Sequence, residues 1–147
     1  DGKTLAVGGS EGPIRLFKAD GEIVHDEFVE LPGFLPILAL RFAPYTSSNP
    51  DVAKMLIAAD GGGDVRVWDT ESKECVAVNR GESGNQLFTL DFSADAAFYA
   101  SGGSDKGIRI YDVTTQKLKQ TLRAGAGYTD VTSSMGHSNR VYAVKYH

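Results

Sequence analysis

Three side chains in the second half of the chain could be combined, by residue type, into a hydrolytic triad. Ser101 would supply the nucleophile, His137 the base and Asp105 the orienting carboxylate. Such a triad is recognised by geometry and roles, not by chain order. Whether these residues can meet depends on the elements that carry them. A lone Cys75 has no adjacent histidine or base pattern and is expected to be an ordinary half-buried thiol.

Two glycine-rich stretches, GGSDKG (102–107) and ADGGGD (59–64), could suggest a phosphate loop. Such a loop joins a strand to a helix, and a lysine followed by Ser or Thr closes it. Here a strand-like run follows each stretch, and Lys106 is followed by Gly107. We interpret both as tight hairpin turns that need positive φ. Asp60 to Asp64 also lacks the later ligands of a calcium loop.

A short pattern recurs three times and organises the chain. It appears as PIRLFK (13–18), DVRVWD (64–69) and GIRIYD (107–112), each with a central arginine and a late aromatic. An apolar run and a turn precede each copy, and two further alternating segments recur in register. Residues alternate with period two, which indicates strands. A repeat of roughly 40–50 residues predicts units of four antiparallel strands that stack around an axis. The arginines Arg15, Arg66 and Arg109 are expected to lie between units, with the head near water or an acid.

The chain resembles WD-repeat β-propeller sequence. GHSNRVYAVKYH (136–147) matches the Gly-His and inner strand of the family pattern, and SADAAFYASGGSDKGIRIYD (93–112) matches the segments that follow. The resemblance implies an all-β fold, a partial β-propeller of four-stranded antiparallel WD-repeat blades. It places three periods of one incomplete propeller in residues 1–147, with blade boundaries near 1–28, 37–80, 87–123 and 141–147. The structural blade positions that it implies are Ser101, Asp105, Trp68, Asp69, Tyr111, Asp112 and His137.

The match also has departures. The family often cross-links each blade through a histidine, a serine, an aspartate and a tryptophan, and no repeat here has the full set. GESGNQ (81–86) replaces Gly-His before the third inner strand. Packing of apolar side chains between blades must then carry more of the stability. Three units are too few to close a ring of four to eight blades. We therefore expect these residues to be part of a longer chain or, alternatively, several copies to assemble.

Composition and charge narrow the class of function. Fifteen Lys and Arg against nineteen Asp and Glu give a net charge of −4, which argues against a nucleic-acid or anionic-membrane surface. One cysteine and no glycosylation sequon favour an intracellular setting, cytoplasmic or nuclear. No spacing suggests a metal site or a cofactor. A propeller enzyme would need several inward acids or histidines, and Asp91 is the only acid of the inner strands. That enzyme and a nucleic-acid or lipid head-group binder remain the alternatives.

Irregular upper-face connections are the expected binding elements, because a rigid sheet supports variable loops. They are VELPGFLP (29–36), RGESGNQ (80–86) and AGAGYTDVTSSMGHSNR (124–140); the alternative is that they are only spacers. Aromatic and arginine anchors within a polar rim suit a protein interface. The sequence thus predicts a non-enzymatic interaction scaffold in a larger intracellular assembly. Its partners would be other proteins or peptide segments, and the remaining blades of the same chain. The predicted contact residues are Phe34, Leu35, Arg80, Glu82, Asn85, Tyr128, Asp130, Met135 and Arg140.

Overall fold

The structure is a computed structural model that describes residues 2–20, 23–28, 35–45, 48–122 and 139–147. Within these ranges the chain forms short strands and a single one-turn helix. The elements are β1 (Thr4–Gly8), β2 (Ile14–Lys18), β3 (Ile23–Phe28), β4 (Ile37–Phe42), α1 (Pro50–Ala53), β5 (Met55–Asp60), β6 (Val65–Asp69), β7 (Cys75–Asn79), β8 (Leu87–Phe92), β9 (Phe98–Gly103), β10 (Ile108–Asp112) and β11 (Leu118–Leu122).

These strands form three antiparallel sheets in simple up-and-down order. The first sheet is β1-β2-β3, the second is β4-β5-β6-β7, and the third is β8-β9-β10-β11. Each sheet carries one copy of the repeated pattern in the same place, on β2, β6 and β10. The predicted all-β fold, a partial propeller of four-stranded antiparallel blades, is confirmed.

The continuous apolar run of β5 explains why the middle sheet is buried on both faces. In the register of β5 and β6, Leu56 lies opposite Trp68 and Ile57 opposite Val67, so apolar pairs alternate between the two faces. Leu56 and Trp68 join a cluster with Ile14 of the first sheet, while the pair on the other face packs against the third sheet. A strand that is apolar on both faces therefore marks a blade with a neighbour on each side.

Small residues set how closely consecutive blades approach. A Cβ added at Gly8 would lie 2.6 Å from Cγ2 of Ile37, and one at Gly102 would lie 2.6 Å from Cγ1 of Val141. Both glycines lie at the upper ends of second strands. The prediction that the glycines of 102–107 form a turn with positive φ is wrong for Gly102, which lies within β9 and makes room for Val141.

Residues 141–147 were expected to form a third inner strand, and the structure assigns no strand to them. They nevertheless occupy the place of one. The N–H of Val141 donates to the carbonyl of Gly103 (2.9 Å), as the N–H of Ile37 donates to the carbonyl of Gly9 (3.0 Å). A strand needs a ladder partner, and none of the described residues supplies one for this segment.

The helix α1 was not predicted. It lies in the insertion that joins β4 to β5 (43–54), which we place on the lower face, opposite the upper connections. The side chain of Asn49 there accepts a hydrogen bond from the N–H of Asp51 (3.0 Å). Pro50 follows at the first turn, where its missing N–H costs nothing. An asparagine cap before a proline is therefore the signal that would have indicated this turn of helix.

Candidate functional site

The upper turn between β5 and β6 uses its acids internally. Oδ1 of the fully buried Asp60 accepts from the N–H of Gly62 (2.9 Å) and of Asp64 (3.0 Å). The guanidinium of Arg66 lies 3.4 Å from Asp60 and 3.6 Å from Asp64. Among the described residues, no group of three or more metal-ligating side chains comes together. These carboxylates shape a turn and hold an arginine between blades.

The equivalent turn of the third sheet repeats this arrangement. Arg109 donates a short hydrogen bond to Asp105 and lies 3.4 Å from the carboxylate of Glu82. Burial alone would lower the pKa of Arg109, but pairing with Asp105 and the nearby Tyr111 and Glu82 together raise it overall. Arg66 and Arg109 thus have their heads near acids, as expected, whereas Arg15 of the first sheet is exposed.

Asn85 does not offer its side chain to a partner, which corrects the sequence-based expectation. Only 4% of this residue is exposed. Its Oδ1 accepts from the hydroxyl of Ser104 (2.9 Å) and from the N–H of Asp105 (3.0 Å). Asn85 therefore ties the loop before β8 to the turn after β9. This gives the third blade a cross-link in a place where the sequence lacks Gly-His.

The positions of Ser101 and Asp105 do not support the hypothetical hydrolytic triad of Ser101, His137 and Asp105. Ser101 is fully buried in β9, where no substrate can reach its hydroxyl. Asp105 is committed to Arg109 and to the N–H of Gly107 (3.1 Å). His137 lies outside the described residues. The predicted structural position at Tyr111 is likewise buried, and burial raises the pKa of its hydroxyl.

The aspartates that end β6 and β10 both shape the turn that follows. Asp69 accepts from the N–H of Glu71 (2.8 Å) and Ser72 (3.1 Å), and Asp112 accepts from the N–H of Thr115 (2.8 Å). Burial would raise the pKa of Asp69, but these bonds and the Lys54 ammonium, 3.0 Å away, lower it overall. Trp68, next to Asp69, is 2% exposed and belongs to the core between the first two sheets.

A polar contact between the second and third blades was missed at the sequence level. The Tyr99 hydroxyl accepts from the amide of Asn79 (2.6 Å) and donates to the side-chain carbonyl of Gln116 (3.1 Å). The Tyr99 ring stacks on Tyr111 with centroids 4.9 Å apart. Register alone could not have shown this contact, because its members come from three elements that are distant in the chain.

The inner strands carry a buried carboxylate with two cationic partners, a cluster that the sequence did not indicate as a candidate site. Asp91 of β8 is 4% exposed and receives hydrogen bonds from the Lys145 ammonium (3.0 Å) and the N–H of Tyr146 (2.9 Å). Arg41 of β4 approaches it from the other side at 3.6 Å. Burial would raise the pKa of Asp91, but these partners lower it overall. A buried carboxylate is thus held between two cations from neighbouring inner segments.

The remaining predicted contact residues are distributed unevenly. Arg80 and Arg140 are exposed, and the Glu82 side chain is 62% exposed although it faces Arg109. Leu35 is half-buried, and a Cβ at Gly62 would lie 2.8 Å from its Cδ1, so it packs over the upper turn of its own blade. The predicted contacts that lie outside the described residues are Phe34, Tyr128, Asp130 and Met135.

Comparison with known proteins agrees with this architecture. The stacked antiparallel sheets have the architecture of consecutive β-propeller blades. Residues 73–112 match the family described as "WD domain, G-beta repeat", so the chain carries a WD repeat and the resemblance seen in the sequence is confirmed. That family is generally a non-enzymatic protein-interaction domain.

Curated relatives cover most of the chain at low identity. Actin-interacting protein 1-2 of Arabidopsis thaliana is 26% identical over 126 residues, which is 86% of this chain and 20% of that protein. Transducin beta-like protein 3 of Rattus norvegicus is 24% identical over 119 residues, 80% of this chain and 14% of that protein. Polycomb protein esc of Drosophila virilis is 20% identical over 133 residues, 89% of this chain and 29% of that protein. The chain thus spans less than a third of the length of these relatives.

Proposed function

We propose that the chain is a non-enzymatic scaffold that binds protein segments through its upper-face loops, as one portion of a propeller in a larger intracellular assembly. The WD repeat and the relatives that cover most of the chain support the scaffold class. Within the described ranges, no helix has the length and apolar character needed to cross a bilayer.

The loop between β7 and β8 is the observation that carries the upper-face proposal. Its two ends are fixed, because the N–H of Gly81 donates to Asp64 (3.1 Å) and Asn85 is bonded to the turn of the next blade. Between these anchors the Glu82 side chain is 62% exposed although it faces Arg109, and Arg80, directly before the first anchor, is exposed as well. A loop with fixed ends and exposed charges loses little conformational entropy when it binds a partner.

We test the proposal with the double substitution Phe34→Ala and Tyr128→Ala in the two other upper connections. Partner capture by the purified protein should weaken, while the sheet signal in circular dichroism stays intact. The matched control is Tyr45→Ala on the lower-face insertion, where the side chain is 71% exposed. If the double variant captures the partner as well as the parent does, or if the control loses capture to the same extent, the upper face is not the binding surface.

The outward faces of the first and third sheets support further blades as neighbours. Leu5 and Val7 are 58% and 45% exposed on the first sheet, on the face that Leu56 and Ala58 bury in the second. On the third sheet, a cavity of about 260 Å³ is lined by Ile108 and Ile110. We propose that both faces are covered by remaining blades of the same chain, with boundaries as the repeat pattern predicts.

A further inference from the structure

Two rows of side chains run across three consecutive inner segments of the fold. The segments β4, β8 and 141–147 align residue by residue as ILALRF, LFTLDF and VYAVKY. The second position of each is large and apolar, and we call Leu38, Phe88 and Tyr142 the apolar row. The fifth position of each is charged, and we call Arg41, Asp91 and Lys145 the charged row.

Two members of the apolar row, Leu38 and Phe88, lie at β-bulges and therefore outside the regular strand pairing of the sheets. Register shifts fall between Ile37 and Ala39 and between Leu87 and Thr89, so Leu38 and Phe88 are the extra residues of two bulges. Bulges of this kind re-aim a side chain that regular pairing would direct elsewhere. Leu38 remains 39% exposed.

The same row continues from β8 onto the terminal segment. Phe88 stacks on Tyr142 with ring centroids 5.2 Å apart and an interplanar angle of 18°. Tyr142 is still 66% exposed in that position. The open side of its ring is apolar surface that a partner side chain could cover.

The charged row lies three residues further along each segment, which corresponds to about 10 Å of extended chain. Asp91 is buried, whereas the side chains of Arg41 and Lys145 are 49% and 76% exposed. Two cations share one carboxylate, so the row has a surplus of one positive charge. This surplus faces solvent on a chain whose net charge is −4.

We propose that these two rows bind an acidic peptide segment, with an apolar side chain on the apolar row and a carboxylate on the charged row. This inference rests on the proposed scaffold function and assigns a partner chemistry to the inner strands. Charge and apolar complementarity select this partner. The spare positive charge disfavours a basic peptide segment. The exposed Tyr142 ring beside it favours a partner with an apolar side chain, which a phosphate backbone alone does not supply. The two groups of the peptide would be spaced by about 10 Å, which is about three residues of extended chain.

The first experiment measures binding of a fluorescein-labelled peptide that contains Phe followed after two glycines by two Asp. Lys145→Gln should weaken its binding about threefold or more, as expected for loss of one partly exposed ion pair. Lys117→Gln removes an equal charge at an exposed position next to β11 and should leave binding unchanged. Equal affinity for a peptide in which both Asp are Lys would overturn the proposal. So would full competition by an oligo-dT strand, which would indicate a nucleic-acid surface.

A second variant, Asp91→Asn, should increase the affinity for the peptide, which a loss of folding cannot do. Asp91→Asn keeps an acceptor oxygen for the N–H of Tyr146 but releases Arg41 and Lys145 from their shared carboxylate. Affinity for the acidic peptide should therefore rise about threefold while stability falls. Unchanged or weaker binding by a folded Asp91→Asn protein would refute the role of the charged row.

A third comparison tests the apolar row. Tyr142→Ser should weaken binding, whereas Leu118→Ser at a 52% exposed position of β11 should not. If both have the same effect, the ring is not an anchor. Capture of a partner that depends on Phe34 and Tyr128 but ignores all inner-strand variants would leave the scaffold function standing and remove only this inference.

Discussion

Gly63→Ala should destabilise the fold strongly, although it adds only one methyl group. Gly63 has φ of +98°, a conformation that L side chains rarely adopt. A Cβ at this position would lie 2.4 Å from the carbonyl oxygen of Asn85 and 3.2 Å from that of Glu82. Both atoms belong to the backbone of the loop before β8, so neither can turn away as a side chain would.

Two contributions set the magnitude. A left-handed backbone conformation costs a residue with a Cβ about 1–2 kcal/mol. Backbone displacement by an overpacked group adds about 1–3 kcal/mol. We therefore expect the free energy of unfolding to fall by roughly 2–5 kcal/mol, a large part of the stability of an ordinary domain.

The assay is urea unfolding followed by tryptophan fluorescence. The chain has one tryptophan, Trp68, which is 2% exposed and should change its emission on unfolding. Lys106→Gly is the matched control, because Lys106 has φ of +67° in the equivalent turn of the third blade. Relief of strain there opposes the greater freedom of glycine in the unfolded chain, so the net change should stay within about 0.5 kcal/mol. A Gly63→Ala protein as stable as the parent, or a control that loses as much, would refute this reasoning.

Two further results are expected. The Asp91 carboxylate has a pKa below that of its unfolded state, so it stabilises the fold above about pH 4 and loses this contribution as pH falls through the folded value. Urea unfolding at pH 6 and pH 3 should show that the stability gap between the parent and Asp91→Asn narrows at the lower pH; a constant gap would contradict the assignment. Tyr99→Phe deprives Asn79 and Gln116 of their shared hydroxyl and should cost about 1–2 kcal/mol, whereas Tyr45→Phe should cost nothing measurable by the same titration.

The repeat made most of the architecture predictable from the sequence. Three copies of one pattern, marked by Phe17, Trp68 and Tyr111, gave the strand positions, the sheet number and the antiparallel order. Such a prediction works because period two and glycine-rich turns are local signals that each copy repeats independently. The helix α1 escaped it because one turn of helix is too short to show periodicity.

The candidate site was less predictable, because its contacts join residues that are far apart in the chain. Exposure of Asn85 was inferred from its place in a polar loop, yet the turn of the next hairpin encloses it. Asp91 was noted only as a single acid, since its partners Arg41 and Lys145 lie about fifty residues away on either side. Alignment of the three inner segments would have shown the charged row, whereas its burial required the structure.

Main-chain hydrogen bonds attach two of the inner segments to the blade before them. The bonds from Ile37 to Gly9 and from Val141 to Gly103 join one N–H to one carbonyl, and small residues beneath them set the approach. Because each bond joins main-chain atoms only, the connections at 29–36 and 124–140 can be exchanged without removing these two links. The loop at 80–86 differs, because the Asn85 side chain holds the turn of the next hairpin. The fold is therefore suited to loop grafting: a foreign recognition loop that preserves these two attachment points should be presented in a defined orientation.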